Sequence, residues 1–160
     1  MKINIKIMLL SLVAASSVFL SSCYKEPDLL SELAVSQGKV AQISIVWLGT
    51  TRTTAASTAV ITGATVVAGS TTNCNIEFTS LVPVKEFKVY WAATATGTQT
   101  LVATVPAGGQ KYDANLRQYT ISVPITAQET KGTTRVFFAE IISENGLASA
   151  KKSAILTTSK

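Results

Sequence analysis

The sequence predicts an all-β protein, a single antiparallel β-sandwich, and three observations predict it. β-Branched and aromatic residues come in short runs separated by clusters of Gly, Pro, Asn, Thr and Ser. After Gly38 no apolar pattern keeps helical spacing over three turns. All 22 threonines fall after Gly49, which suits half-exposed pleated strands. With 160 residues, 47 % of them apolar and 14 % charged, the chain has material for one ordinary domain.

The first strand is expected at residues 39–48, where Ile43, Ile45 and Trp47 alternate with Gln42 and Ser44. Residues 49–73 are rich in Thr, Ala and Gly, and Val60-Ile61 and Val66-Val67 suit one or two short strands around Gly63. Residues 74–79 put Cys74, Ile76 and Phe78 on the inner face and Asn75 and Glu77 on the other. A turn at Leu81-Val82-Pro83-Val84 leads to residues 86–92, the clearest strand, in which Phe87, Val89 and Trp91 alternate with Lys88, Tyr90 and Ala92. Residues 100–105 give another strand before Pro106 and Gly108-Gly109. Residues 118–123 alternate through Tyr119, Ile121 and Val123, and Pro124 is expected to stop them. Residues 134–142 follow the Lys131-Gly132 turn, and Glu144-Asn145-Gly146 signals a hairpin into residues 148–156. Seven or eight strands so spaced describe a sandwich.

Ahead of this body lies an export segment. Lys2 and Lys6 are followed by an uncharged stretch, residues 7–20, which matches a secretory signal and falls short of the about 20 residues a spanning helix needs. Leu20-Ser21-Ser22-Cys23 resembles the lipobox of bacterial lipoproteins. The resemblance implies removal of residues 1–22 and a diacylglycerol on the Cys23 sulfur, usually with a third chain on its nitrogen. Two or more chains anchor a protein stably, so the membrane would be a partner through covalent lipid alone. Residues 23–38 then form a tether and residues 39–160 the sandwich. Lys25, Glu26 and Asp28, close behind the cysteine, resemble the signal that sends lipoproteins of the Bacteroidetes to the outer face of the outer membrane. A plain solvated tether, with the domain facing the periplasm, has the same composition.

Losing Lys2 and Lys6 leaves 12 basic residues against 9 acidic, so +5 becomes +3. Arginine occurs only at positions 52, 117 and 135, and the longest basic run is Lys151-Lys152, which gives no phosphate-binding stripe and excludes nucleic acid as an expected partner.

Residues 75–156 resemble a fibronectin type III or related immunoglobulin-like domain. Phe87-Lys88-Val89-Tyr90-Trp91 looks like that family's third strand, and Gly132-Thr133, the strand through Phe137, Ala139 and Ile141, and Asn145-Gly146 are spaced like its sixth strand and following loop. Two positions depart: Phe78 stands where the family usually has Trp, and Arg135 where it has Tyr. Either Arg135 sits at a strand end with its head in water, or the correspondence is shifted by one residue, because a buried unpaired Arg is costly.

Histidine is absent and cysteine occurs twice, which excludes Ser-His-Asp and Cys-His chemistry and His-based zinc sites. The carboxylates are scattered singly, and no glycine-rich stretch precedes a helix, so no catalytic residue, metal ligand or cofactor is expected. Cys74, left without a disulfide partner once Cys23 is lipidated, is expected in the core. Trp47, Trp91 and Tyr119 should point inward. Tyr90 and Tyr112 remain as exposed aromatics, and Tyr112 shares a polar loop with Asp113 and Asn115 that could hydrogen-bond a ligand or be plain surface. Phe138 and Ile142 lie on the same face as Glu140; they form an apolar patch beside Tyr90 unless the tether or residues 60–67 cover them. The resemblances together imply a non-catalytic binding or adhesion module with a protein or glycan partner, accessory to a glycan-uptake or surface complex. The alternative they allow is a fimbria-like structural subunit, freed for strand exchange by a cut at Arg52.

Overall fold

The computed structural model describes residues 38–159. The export segment, Cys23 and nearly all of the tether lie outside the described residues. Among the described residues every regular element is a strand: β1 (Gln42–Leu48), β2 (Ala64–Val66), β3 (Thr71–Thr79), β4 (Val84–Ala92), β5 (Thr100–Pro106), β6 (Lys111–Asp113), β7 (Gln118–Thr126), β8 (Thr134–Ser143) and β9 (Lys152–Thr158). They form one sheet of order β1-β3-β7-β6 and a second of order β2-β9-β8-β4-β5. That is the immunoglobulin-type arrangement, a four-stranded A-B-E-D sheet facing a sheet built on C, F and G.

The core is what strand alternation dictates. Cys74, Ile76 and Phe78 of β3, Phe87 and Val89 of β4, Ile121, Val123 and Ile125 of β7, and Phe137, Ala139 and Ile141 of β8 all bury between the sheets. The sheets meet at Phe78 and Phe87, whose ring centroids are 5.2 Å apart and tilted by 59°.

Four expectations are corrected. The pairing of β1 with β3 shifts between Ile43 and Ile45. A bulge changes which face later residues take, so Ile43, Val46 and Leu48 join the core, whereas Trp47 buries on the opposite face of its sheet. Pro124 does not stop β7, which runs on to Thr126 with Pro124 paired to Asn73. β6 covers only Gln118–Thr120 of β7, so at Pro124 one side of the strand is an edge, where a missing N–H is tolerated. The last strand starts at Lys152 rather than residue 148, with a single bridge between Ile142 and Ala148 before it. Finally, the sandwich is not wholly antiparallel: β2 lies parallel to β9. A Cβ on Gly63 would stand 3.0 Å from the Ile155 carbonyl oxygen, so glycine gives the chain its close approach to β9.

Cys74 is fully buried, and burial pushes its thiol up to about 12. A thiol that titrates higher when folded than when unfolded stabilises the fold at pH values below its ordinary 9.0 and loses that contribution as pH rises toward 12. Cys74 is therefore expected to resist alkylation at pH 8 in the native protein and to react in urea, as read by mass spectrometry of its tryptic peptide. The urea midpoint should fall above pH 9. Cys74→Ser should cost about 1–3 kcal/mol, because it places an unpartnered hydroxyl in the core, and Cys74→Ala less.

Candidate functional site

The two open ends of the sandwich and its two outer faces hold the side chains the sequence singled out. At the end formed by residues 80–83, 107–117 and 144–147, here called the aromatic end, rings run from core to surface. Phe78 stacks on Tyr119 at 5.6 Å and 27°, and Tyr119 meets Tyr112 at 5.0 Å. The register places them there, because Phe78 pairs with Tyr119 and Tyr119 with Tyr112 on the inward face of three neighbouring strands. Tyr112 is 57 % exposed and Tyr119 37 %, so Tyr119 faces inward without being covered. A cleft of about 180 Å³ opens beside the ladder, lined by Phe78, Ser80, Val82, Pro83, Val84, Gln110 and Tyr119. A neighbouring one of about 480 Å³ shares Ser80 and reaches Leu81 and Lys39.

The expected polar loop around Tyr112 is instead a strand and a tight turn. Tyr112 and Asp113 lie on β6, and Asp113 Oδ1 accepts from the backbone N–H of Asn115 (2.8 Å) and Leu116 (3.1 Å). That carboxylate shapes the turn, as Asp commonly does. Asn115 is exposed in the same turn, and Arg117 closes it at φ 53°. Tyr112 is thus left as the exposed aromatic of the trio.

Tyr90 is elsewhere, on the outer face of the five-stranded sheet. Its hydroxyl donates to Glu140 Oε2 at 2.8 Å, and Lys151 Nζ lies 4.0 Å from its ring centroid. Burial, then the hydrogen bond and charge of Glu140, then the charge of Glu86 push that hydroxyl up to about 12. Tyr90 packs on a small cluster of Ala92, Val136 and Phe138. Phe138 is buried at 8 % exposure and Ile142 is half-buried, so of the two alternatives left open there the described residues do not show an open apolar patch. Nor does the segment at residues 60–67 cover this face; β2 extends the sheet sideways on β9.

A polar cluster that alternation did not point to lies on the outer face of the four-stranded sheet. Glu77 Oε1 accepts from Trp47 Nε1 (2.8 Å) and Arg52 Nε (2.7 Å), and Glu77 Oε2 lies 3.4 Å from Arg52 Nη2. Beside it Asn75 Nδ2 donates to the Gly49 carbonyl (2.9 Å), and Ser122 Oγ donates to Asn75 Oδ1 (2.6 Å). Asn75 and Glu77 are buried, and the loop after β1 covers them through Gly49 and Arg52. The bulge in β1 brings Trp47 onto this face, so alternation alone could not have found the cluster.

At the opposite end of the sandwich, here called the arginine end, Arg135 does lie near a strand end as one alternative had it, but its head rests on an aromatic ring. Arg135 is the second residue of β8, half-buried, and its guanidinium carbon sits 3.7 Å from the centroid of the Trp91 ring. Trp91 points inward as expected and is partly buried against the core. Among the described residues no group of three or more His, Cys, Asp or Glu side chains could hold a metal ion.

No protein-family model matches the sequence, and no curated protein matches it. Solved structures to which the chain shows some likeness include a chitin binding domain from Burkholderia pseudomallei (10 % identity, 61 % of this chain and 57 % of that one, TM-score 0.41). A Niemann-Pick type C2 protein from the Japanese carpenter ant gives 12 % identity over 74 % of this chain and 94 % of that one, with a TM-score of 0.44. A family 76 glycoside hydrolase from a bovine Bacteroides thetaiotaomicron strain gives 16 %, 60 %, 19 % and 0.39 for the same quantities. The chain spans little more than half of the chitin binding domain and a fifth of the hydrolase. Likenesses this distant carry no argument about what the chain binds.

The Glu77 cluster is a structural device, and its loss is expected to show as stability. Arg52→Ala leaves the buried carboxylate with Trp47 alone and should cost about 1–3 kcal/mol in urea unfolding. The Trp47 fluorescence of the native state should change at the same time.

Proposed function

We propose that the chain is a lipid-anchored outer-membrane protein, displayed on the cell surface, whose sandwich is a non-catalytic binding module for a glycan. The observation that carries the binding half is the aromatic ladder from Phe78 through Tyr119 to the exposed Tyr112, flanking a cleft lined also by Gln110, whose amide oxygen is held by the Gly108 N–H and whose amide nitrogen is left to a ligand. An exposed ring beside a few polar groups is the usual make-up of a site that holds a sugar ring by its apolar face and its hydroxyls by hydrogen bonds. The anchor rests on residues 7–20 and Leu20-Ser21-Ser22-Cys23. No helix among the described residues is long and apolar enough to cross a membrane. The non-catalytic reading rests on a chain without histidine, and on Glu77 and Asp113 being tied to Arg52 and to a backbone turn.

A second reading, a fimbria-like subunit that exchanges its first strand, draws on the place of β1. Among the described residues β1 is an edge strand paired with β3 alone, and Arg52 follows it in the next loop. Removing β1 would uncover the core around Ile43, Val46 and Leu48, which a strand from a second copy could refill.

Labelled palmitate fed to producing cells should enter the wild-type protein and not Cys23→Ala, and protease added to intact cells should remove the domain if it faces outward. On a glycan array the full chain, held in mild detergent, is expected to retain at least one sugar class, lost in Tyr112→Ala and kept in Thr98→Ala. Equal retention by Tyr112→Ala would overturn the aromatic site. Concentration-dependent polymers after trypsin treatment would instead support the subunit.

A further inference from the structure

Exposed apolar side chains gather at the aromatic end, where the described chain enters the sandwich. Five of the ten large ones exposed among the described residues stand there: Leu81, which is 84 % exposed, Tyr112, Leu116, Tyr119 and Leu147. The other five are spread over β5, β9 and the loops beside β2. None of the five at the aromatic end belongs to the core clusters, and they come from three separate parts of the chain, after β3, around the β6–β7 turn and after β8. Lys39, Lys85 and Arg117 are exposed around them and take part in neither ion pair found among the described residues, Arg52–Glu77 and Lys88–Glu86. Of the acids there, Asp113 is held in its turn and Glu144 is exposed.

The entry point is fixed to this same surface. Asn145 Nδ2, two residues from Leu147, donates to the Lys39 carbonyl at 2.8 Å, and Gly38 and Lys39 line a cleft with Leu81. A chain arriving from Cys23 is therefore delivered to the apolar end, with only residues 24–37 between. Linkage over so short a stretch holds a surface near its target at an effective concentration on the order of millimolar, so contact that is weak between separate molecules suffices. The composition names the target. Leucines enter the acyl boundary of a bilayer, tyrosines sit between hydrocarbon and headgroups, and basic side chains favour anionic headgroups. The core of a protein interface is depleted of lysine, whereas a lipid surface takes leucine and lysine side by side.

We infer that the aromatic end docks on the lipid surface of the membrane that carries the anchor, with Leu81 and Leu147 in the acyl boundary and Lys39, Lys85 and Arg117 among the headgroups. The inference rests on the anchored reading given above and adds an orientation to it: the aromatic end faces the lipid and the arginine end faces away. The sugars that Tyr112 reaches in that position are those of lipid headgroups, so the class retained on a glycan array is expected to be one that such headgroups carry.

The test places a reporter tryptophan at one end or the other of the full chain, as Leu81→Trp or Thr98→Trp. Thr98 is exposed in the connection between β4 and β5, at the arginine end. Each protein is reconstituted in vesicles of phosphatidylcholine and phosphatidylglycerol, with or without bromine on the acyl chains close to the headgroup. Bromine quenches indole fluorescence only on close approach. Leu81→Trp is expected to lose fluorescence in the brominated vesicles, whereas Thr98→Trp and the wild type, with Trp47 buried and Trp91 at the far end, keep theirs. Adding Leu147→Ser and Lys39→Glu to Leu81→Trp should cut the quenching to about half or less with an unchanged circular dichroism spectrum. Flotation of the same vesicles reports the anchor independently. Protein that floats while quenching fails to favour the Leu81 end, or survives Leu147→Ser with Lys39→Glu undiminished, overturns the docking and leaves the anchor standing. Protein that does not float overturns both.

Discussion

The contact between Phe78 and Phe87 joins the two sheets, and the rest of the molecule is arranged outward from it. Side chains on a strand alternate, so once those two rings face each other the inner positions of β3, β4, β7 and β8 are assigned. Moving along the strands in one direction, the inner positions pass from Phe78 to Tyr119 and then across to Tyr112. In the other direction they pass from Val89 to Trp91 and Arg135. A sandwich has two faces to bury and two ends it cannot close with the same alternation. The residues that come last on each inner face therefore have an apolar body and a polar or charged tip: two tyrosines at one end, a tryptophan and an arginine at the other.

Where alternation was unbroken the sequence was legible. The faces of β3 and β4 and the inward set Phe137, Ala139 and Ile141 of β8 follow from the period of two with no knowledge of neighbours. The bulge near Ser44 was not legible, because an extra residue in a ladder leaves no mark in a run such as Ile43-Ser44-Ile45-Val46-Trp47; both faces are apolar there. The same ambiguity hid β6, three residues long, which only its partner β7 makes a strand. Phe138 misled for a different reason. Its face reads as exposed because Glu140 shares it, but Ala92, Val136 and Tyr90 come from two strands to pack around it, and no linear pattern shows such a cluster. Of the candidate site, Tyr112 was legible as an exposed aromatic, whereas its stacking on Tyr119 and the use of Asp113 in a turn needed the pairing register.

Arg52 and Arg135 show how context assigns roles to identical side chains. Arg52 is held by both oxygens of a buried glutamate and ties the long loop after β1 onto the outer face of its sheet. Its charge is matched, and the arrangement contributes by keeping Glu77 from being buried alone. Arg135 has an aromatic face beneath it and no acid within ion-pairing distance. A guanidinium tolerates this better than an ammonium would, being flat and weakly hydrated, which is why Arg can stand at an inner-face position where lysine would have to reach water.

The two buried carboxamides make the same comparison with neutral groups. Asn75, 3 % exposed, reaches the Gly49 carbonyl and receives the Ser122 hydroxyl, and its Nδ2 also lies 3.4 Å from the Trp47 carbonyl, so both ends of its amide are used within the fold. Gln128, 8 % exposed, uses neither end. Desolvation opposes both burials to a similar degree, about 1–3 kcal/mol for each group left without a partner. Around Asn75 the fold supplies those partners from two neighbouring strands and a loop. Around Gln128 it supplies none, so of the two amides only that of Asn75 has its desolvation offset by hydrogen bonds within the fold.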